Sequence, residues 1–255
     1  HFARNLKDIY NPFSILNSLA DQQISDYWFQ TGTPTHLLHV LRNSRKQLSE
    51  LNGCKIKESV LNSADVMTYQ PDIYMFYTGY LTFKAYDERF KQYTLGYPNE
   101  EVKNGFIESL LPFVSRIDKN DTTNLVVDLS NMIEEGRVDD FLEAMKVFFS
   151  KIPYDFESHT EYLYQNVIYC ITTLLGFYVQ SEYHTSQGRP DMVIGTKEFV
   201  YVFEFKLDGT PLKALKQIID RNYALSFELD GRRVIKIGVD FSSKTRTISD
   251  WLINE

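Results

Sequence analysis

Only two cysteines, Cys54 and Cys170, occur in 255 residues. Two thiols cannot build a disulfide framework, so a reducing, cytoplasmic setting is expected. The chain has no apolar run near the roughly 18 residues needed to cross a membrane, and no basic start leading into an apolar stretch. No membrane partner is therefore expected. The phosphate-cradling pattern G-x-x-x-x-G-K-[ST] is missing, which excludes nucleotide hydrolysis by that route in these residues. There is no CxxC pair and no Ser-His-Asp arrangement, and His159 and His184 are not spaced as a metal pair. Positive charge is also scarce: 27 Lys and Arg stand against 34 Asp and Glu, a net −7. That balance excludes broad adhesion to nucleic acid by bulk charge. It leaves open a small site where carboxylates hold a metal against phosphate.

Apolar and aromatic residues are plentiful. Hydrophobic residues make up 43% of the chain, with 17 Tyr and 18 Phe. This composition excludes intrinsic disorder, collagen and a coiled coil, and supplies an ordinary core. The length suits one large domain or two small ones. The chain opens at His1 without Met and is expected to be a piece of a longer protein.

The first part reads as mainly helical. Pro12 starts one short helix and Pro34 another. Residues 72–97, rich in Tyr and Phe, read as a helix end and a β-hairpin, or as two hairpin strands. Such aromatics serve either as core or as a hairpin that touches DNA; a structural bridge is the preferred reading. Asn99 then caps a helix through about Val114, and two amphipathic helices cover 121–135 and 138–150, separated by Gly136. Pro153 marks the expected boundary between a helical region, 1–152, and a second domain, 153–255. That second domain changes rhythm. A helix over 158–175 is followed by strands at 177–183, 191–194 and 199–207. Thr210-Pro211 starts a helix to about Phe227, and Arg233–Phe241 forms a last strand. The predicted fold class is α+β, with a C-terminal α-β-β-β-α-β order around a mixed central sheet.

The chemistry concentrates on the strand Phe199–Leu207. With alternate residues on opposite faces, Tyr201, Phe203 and Phe205 share one side. Val200, Val202, Glu204 and Lys206 share the other. A carboxylate and an ammonium thus sit on one face of an otherwise apolar strand, where unpartnered charge is expensive. The preceding strand offers Asp191. A two-residue loop at 197–198 sets Asp191 opposite Glu204, and a four-residue loop at 195–198 sets it opposite Val202. Either even loop puts Asp191 on the face of Glu204 and Lys206; an odd loop or a bulge sends it away. Clustered carboxylates raise each other's pKa. A hard divalent cation resolves the repulsion and can neutralise charge on a phosphoryl oxygen, while a Lys beside it steadies a charged transition state. The plainer reading is a salt bridge from Lys206 to Glu204 or Asp191.

Gly188-Arg189-Pro190-Asp191, then Glu204-Phe205-Lys206, then Ala214-Leu215-Lys216-Gln217-Ile218, resembles the PD-(D/E)XK nuclease superfamily. More narrowly, the chain is similar to a bacterial branch fused behind an AAA-ATPase-like domain. That likeness rests on Tyr10-Asn11-Pro12-Phe13-Ser14, Tyr27-Trp28-Phe29-Gln30-Thr31-Gly32-Thr33-Pro34, Thr78-Gly79-Tyr80-Leu81-Thr82 and Leu95-Gly96-Tyr97-Pro98-Asn99-Glu100. The resemblance implies a restriction-endonuclease-like C-terminal domain that hydrolyses phosphodiesters of nucleic acid, with DNA expected, using Mg2+ or Mn2+. It further implies an upstream ATPase part through which the protein self-associates. Asp191 and Glu204 would hold the metal, Lys206 would be the catalytic lysine and Gln217 an accessory glutamine. Tyr223 stands farther along than the family's usual spacing. Glu161 would be a further ligand from the first helix, or else half of a Ser158-x-x-Glu161 capping box. Glu182 would be another ligand or a rim charge. Arg189, Lys213 and Lys216 would touch phosphate; alternatively Arg189 pairs with Glu182 and the lysines are simply solvated. A rival of another class is a non-catalytic recognition or regulatory module within an ATPase assembly, since fold does not dictate function.

Overall fold

The computed structural model describes residues 12–23, 37, 40–41, 46–61, 70–152, 160–175, 178–180, 190–227 and 231–254. The chain forms two compact units, His1–Phe113 and Val114–Glu255.

In the first unit, α1 (Pro12–Asp21) begins at its proline. A short strand β1 (Lys55–Lys57) leads into one helical turn, α2 (Glu58–Leu61), and then α3 (Pro71–Tyr77). The hairpin β2 (Thr82–Asp87) and β3 (Gln92–Gly96) follows, and then α4 (Glu100–Ser115). Asn99 Oδ1 accepts from Val102 N at 2.9 Å, the N-cap that the sequence called for. The strands form an antiparallel sheet in the order β1-β3-β2. Strand β1 is unexpected from sequence because Lys55-Ile56-Lys57 offers a single apolar side chain. Ile56 alone is buried there, between two exposed lysines. Leu51, Ile73, Met75, Leu81, Leu95, Phe106 and Ile107 are all nearly inaccessible.

The second unit begins with α5 (Lys119–Glu134) and α6 (Val138–Ser150). Then come α7 (Thr160–Leu174), β4 (Tyr178–Gln180), β5 (Met192–Gly195) and β6 (Phe199–Leu207). Helix α8 (Pro211–Asp220) crosses over to β7 (Arg233–Ser242), and β8 (Thr247–Asn254) completes the sheet. The sheet order is β4-β5-β6-β7-β8. The β6–β7 pair is parallel and the other pairs antiparallel.

The alternation along β6 explains the layers. Phe199, Tyr201, Phe203 and Phe205 form a continuous run of ring contacts on one face. Helices α5 and α6 cover that run: Tyr201 Oη donates to Ile133 O at 2.7 Å, Phe141 meets Phe203, and Phe149 meets Phe241. Burying each such ring contributes on the order of 1.5–3 kcal/mol. On the other face, Val193, Val200 and Val202 pack with Leu215 and Ile218 of α8 and with Tyr223, Ala224 and Phe227 beyond it.

Three details besides β1 differ from the expectation. Helices α5 and α6, expected within the 1–152 region, lie in the second compact unit, because their apolar stripes cover its aromatic sheet face. The expected boundary residue, Pro153, is outside the described residues. The helix expected to reach Phe227 stops at Asp220. Asn222 adopts a left-handed φ of 48°, and Tyr223 N bonds back to Ile218 O while Asn222 N bonds to Ile219 O, a helix-ending motif. Finally, β8 adds a strand after the one read as last. Its Ser249-Asp250 pair interrupts any apolar alternation, and Ile248 is its one buried residue, as befits an edge strand.

Candidate active site

The turn between β5 and β6 sets the geometry. Met192 pairs with Phe203 and Gly195 with Val200, a register that one further step extends to Asp191 opposite Glu204. Thr196 N donates to Phe199 O at 2.9 Å, closing a two-residue loop of Lys197 and Glu198. Thr196 Oγ1 also accepts from Phe199 N at 3.0 Å, and Arg232 Nη1 donates to Thr196 O at 2.9 Å, so the turn is held from both sides. This is the tighter of the two even loops. Asp191 Oδ2 accepts from Phe205 N at 2.7 Å, which anchors its carboxylate beside β6.

Glu204 lies at the centre. Its residue is 2% exposed, whereas Asp191 is exposed. Glu204 Oε1 accepts from Lys206 Nζ at 3.0 Å and from Gln217 Nε2. Lys206 Nζ also donates to Gln217 Oε1 at 2.8 Å. Gln217 comes from the second turn of α8, and its carboxamide binds both charged residues of the strand at once. Glu204 Oε2 is buried and has no hydrogen-bond partner among the described residues. Burial, with the charge of Asp191 second, pushes the Glu204 carboxyl up from an ordinary 4.5 to about 7.

Two features beside the site were not singled out from sequence. Gly238 of β7 stands next to Glu204 in the parallel register. A Cβ there would fall 2.3 Å from Pro211 O and 2.6 Å from Leu215 N. Only glycine lets α8 approach closely enough for Gln217 to reach Glu204; the visible signal was a lone Gly inside an apolar strand. Asp240, paired with Lys206 in the same register, is buried. It accepts from Gly209 N and from Ser249 Oγ, both at 2.7 Å. Asp208, at a φ of 51°, accepts from Ser243 N at 2.8 Å, and hydrogen bonding from the Ser243 side chain first and this N–H second holds its carboxyl below the ordinary range. Together these carboxylates hold the exit from β6 and hence the start of α8, where Thr210 caps with its side chain and Pro211 takes the first helical position.

The structure therefore brings together Asp191, Glu204, Lys206 and Gln217. Lys213 and Lys216 are exposed on α8 and make no ion pair among the described residues. Glu161 lies on α7, but its side chain is outside what is described, and Glu182 and Arg189 lie outside the described residues altogether. Among the described residues, no group of three His, Cys, Asp or Glu side chains converges on one point. Two carboxylates remain, one of them with a buried, partnerless oxygen. That donor set fits a hard divalent cation, which takes oxygen ligands and, for Mg2+, keeps several waters.

The order α7-β4-β5-β6-α8-β7, with Asp191 opposite the Glu204-x-Lys206 strand, is the arrangement expected from the sequence. Residues 159–251 match the family described as the PD-(D/E)XK nuclease superfamily, and they form a domain of that superfamily. Over 263 aligned residues, 32% are identical to a protein of Azotobacter chroococcum mcd 1 described as "Uncharacterized protein in vnfD 5'region". The alignment covers 96% of this chain and 49% of that relative, so the chain spans about half the relative's length. No solved structure matches the chain. Among the described residues, no helix is long and apolar enough to cross a membrane.

Proposed function

We propose that the chain hydrolyses phosphodiester bonds of nucleic acid, with DNA as the substrate, at a site built by Asp191, Glu204, Lys206 and Gln217. The observation that carries this reading is the buried Glu204 Oε2, without a hydrogen-bond partner among the described residues, on a residue that the strand register sets opposite Asp191. Asp191 and Glu204 would hold Mg2+ or Mn2+. Such an ion, when bound, activates water and neutralises charge on a phosphoryl oxygen. Lys206 has three N–H donors, two of them engaged with Glu204 and Gln217. The remaining one is left to steady developing negative charge on the reacting group. Gln217 acts as a positioning residue that holds the ammonium and the carboxylate in register. Glu161 and Glu182 are candidates for a further ligand, and Arg189, Lys213 and Lys216 for phosphate contacts, the two lysines near the positive end of the α8 dipole. The resemblance of the N-terminal phrases supports an AAA-ATPase-like part upstream, self-association through it, and a bacterial, cytoplasmic setting.

The test is cleavage of labelled DNA and RNA with Mg2+ or Mn2+. Lys206→Ala is expected to lose metal-dependent cleavage while keeping the parent's circular dichroism and melting temperature. Equal cleavage by variant and parent would remove Lys206 from the mechanism. Metal binding by a parent that cleaves nothing would favour the non-catalytic module instead.

A further inference from the structure

The nuclease domain is poor in the charge that grips nucleic acid. Residues 154–255 carry eleven Lys and Arg against fourteen Asp and Glu, a net −3. Affinity for a polyanion comes chiefly from basic groups at its phosphates, so a local basic surface is needed.

The β1-β3-β2 sheet of the first unit has one. The cross-strand register puts Ile56, Tyr93, Leu95, Phe83 and Tyr86 on one face. The rings of Phe76, Phe83, Tyr93 and Tyr86 stack into a ladder there, with successive centroids 4.2–4.6 Å apart. The opposite face carries Lys55 and Lys57, opposite Thr94 and Gln92. Lys84, at the bulge in β2, lies on this face too: its Cγ and Cε pass 3.0 and 3.4 Å from where a Cβ on Gly96 would stand. All three lysines are exposed, and none has an ion pair among the described residues. Lys84 Nζ donates to Pro98 O at 3.2 Å, which aims it without neutralising it. The face's acid, Asp87, is turned into the hairpin, where Oδ1 accepts from Phe90 N at 3.1 Å. At the hairpin tip, Phe90 is 60% exposed between Arg89 and Lys91, with the Arg89 guanidinium 5.2 Å from its ring centroid. A large exposed aromatic flanked by cations suits stacking on a base or ribose.

We propose that this sheet face binds the nucleic-acid backbone, with phosphates on Lys55, Lys57 and Lys84 and the Phe90 ring against a base or sugar. It acts as a grip separate from the cleavage residues. The proposal deepens the nuclease reading by naming where the polyanion is held.

Fluorescence anisotropy with a labelled 30-base-pair DNA duplex tests it on the whole chain, in chelator and without metal, so that cleavage plays no part. The parent is expected to bind with a steep salt dependence. The variant carrying Lys55→Ala, Lys57→Ala and Lys84→Ala is expected to bind at least about tenfold more weakly, with the log–log salt slope reduced by about 1 per lysine. Phe90→Ala, tested on a labelled single-stranded 30-mer whose bases are open to stacking, is expected to bind about fivefold or more weakly at an unchanged slope, since stacking releases no counterions. A triple variant that binds like the parent with the same slope, or a parent that does not bind the duplex, overturns the proposal. Lys206→Ala serves as the control. If it binds like the parent but does not cleave, both readings hold; if the parent binds through the three lysines yet never cleaves, the grip stands and the nuclease reading fails.

Discussion

Lys206 Nζ donates to Gln217 Oε1 at 2.8 Å, joining the Glu-x-Lys strand to the helix that follows it. The same carboxamide donates through its nitrogen to Glu204. One neutral side chain therefore fixes the spacing of an ion pair that would otherwise be free to rotate.

Replacing that carboxamide should show its role. Gln217→Leu keeps the helix and its bulk but leaves Lys206 and Glu204 without their shared partner. Metal affinity and cleavage are expected to fall about 10- to 100-fold, the usual effect of losing an outer-shell hydrogen bond. Titration calorimetry and single-turnover cleavage measure the two separately. Unchanged values in both would make Gln217 a bystander.

Asp191 carries the second prediction. Asp191→Asn keeps an oxygen that can accept from Phe205 N but removes the charge. It is expected to weaken Mg2+ or Mn2+ binding by at least about tenfold, worth roughly 1.4 kcal/mol, while leaving the metal-free melting temperature the same or slightly higher. The rise would come from relieving repulsion on Glu204. Calorimetry that gives the same affinity for both proteins would take Asp191 out of the cation site.

The third concerns pH. The Glu204 carboxyl is held up to about 7 by burial first and by Asp191 second, against 4.5 ordinarily. The folded protein thus binds this proton more tightly than the unfolded chain. Its stabilising contribution is whole below about pH 4.5 and is lost as pH rises through 7, on the order of 3 kcal/mol in all. Without divalent metal, the parent's stability relative to Glu204→Gln should decline across that window. Metal affinity should move the opposite way, rising toward pH 7 and above as the proton leaves. Parallel stability curves for the two proteins would show that Glu204 does not titrate there.

Gly238 supplies the fourth. A methyl group at 2.3 Å from Pro211 O cannot be accommodated unless α8 lifts. Gly238→Ala is expected to destabilise the second unit by about 1–3 kcal/mol, as overpacking does, with a lower urea midpoint at similar slope. Cleavage should fall more than stability accounts for, because Gln217 moves with the helix. A variant as stable and active as the parent would mean that the close approach is dispensable.

Much of the site could be read from the sequence because strands alternate strictly. Once Asp191 and Glu204 were placed on neighbouring antiparallel strands, any even loop put them on one face, and the structure has the two-residue loop at Lys197-Glu198. The Thr210 cap and Pro211 start of α8 were equally legible, since those residue types have local reasons to be there. The fine contacts were not. That Gln217 bonds both Glu204 and Lys206 depends on the helix's height above the sheet, which Gly238 sets from a strand over 20 residues away. Strands β1 and β8 were missed because each sits at the rim of its sheet and buries a single side chain, leaving no period to detect.

The order of the pieces along the chain has a consequence for biosynthesis. Glu204 and Lys206 leave the ribosome before Gln217, and Gly238 emerges later still. A growing polypeptide therefore cannot bring the four residues of the proposed site together until translation has passed the parallel strand that seats the crossover helix.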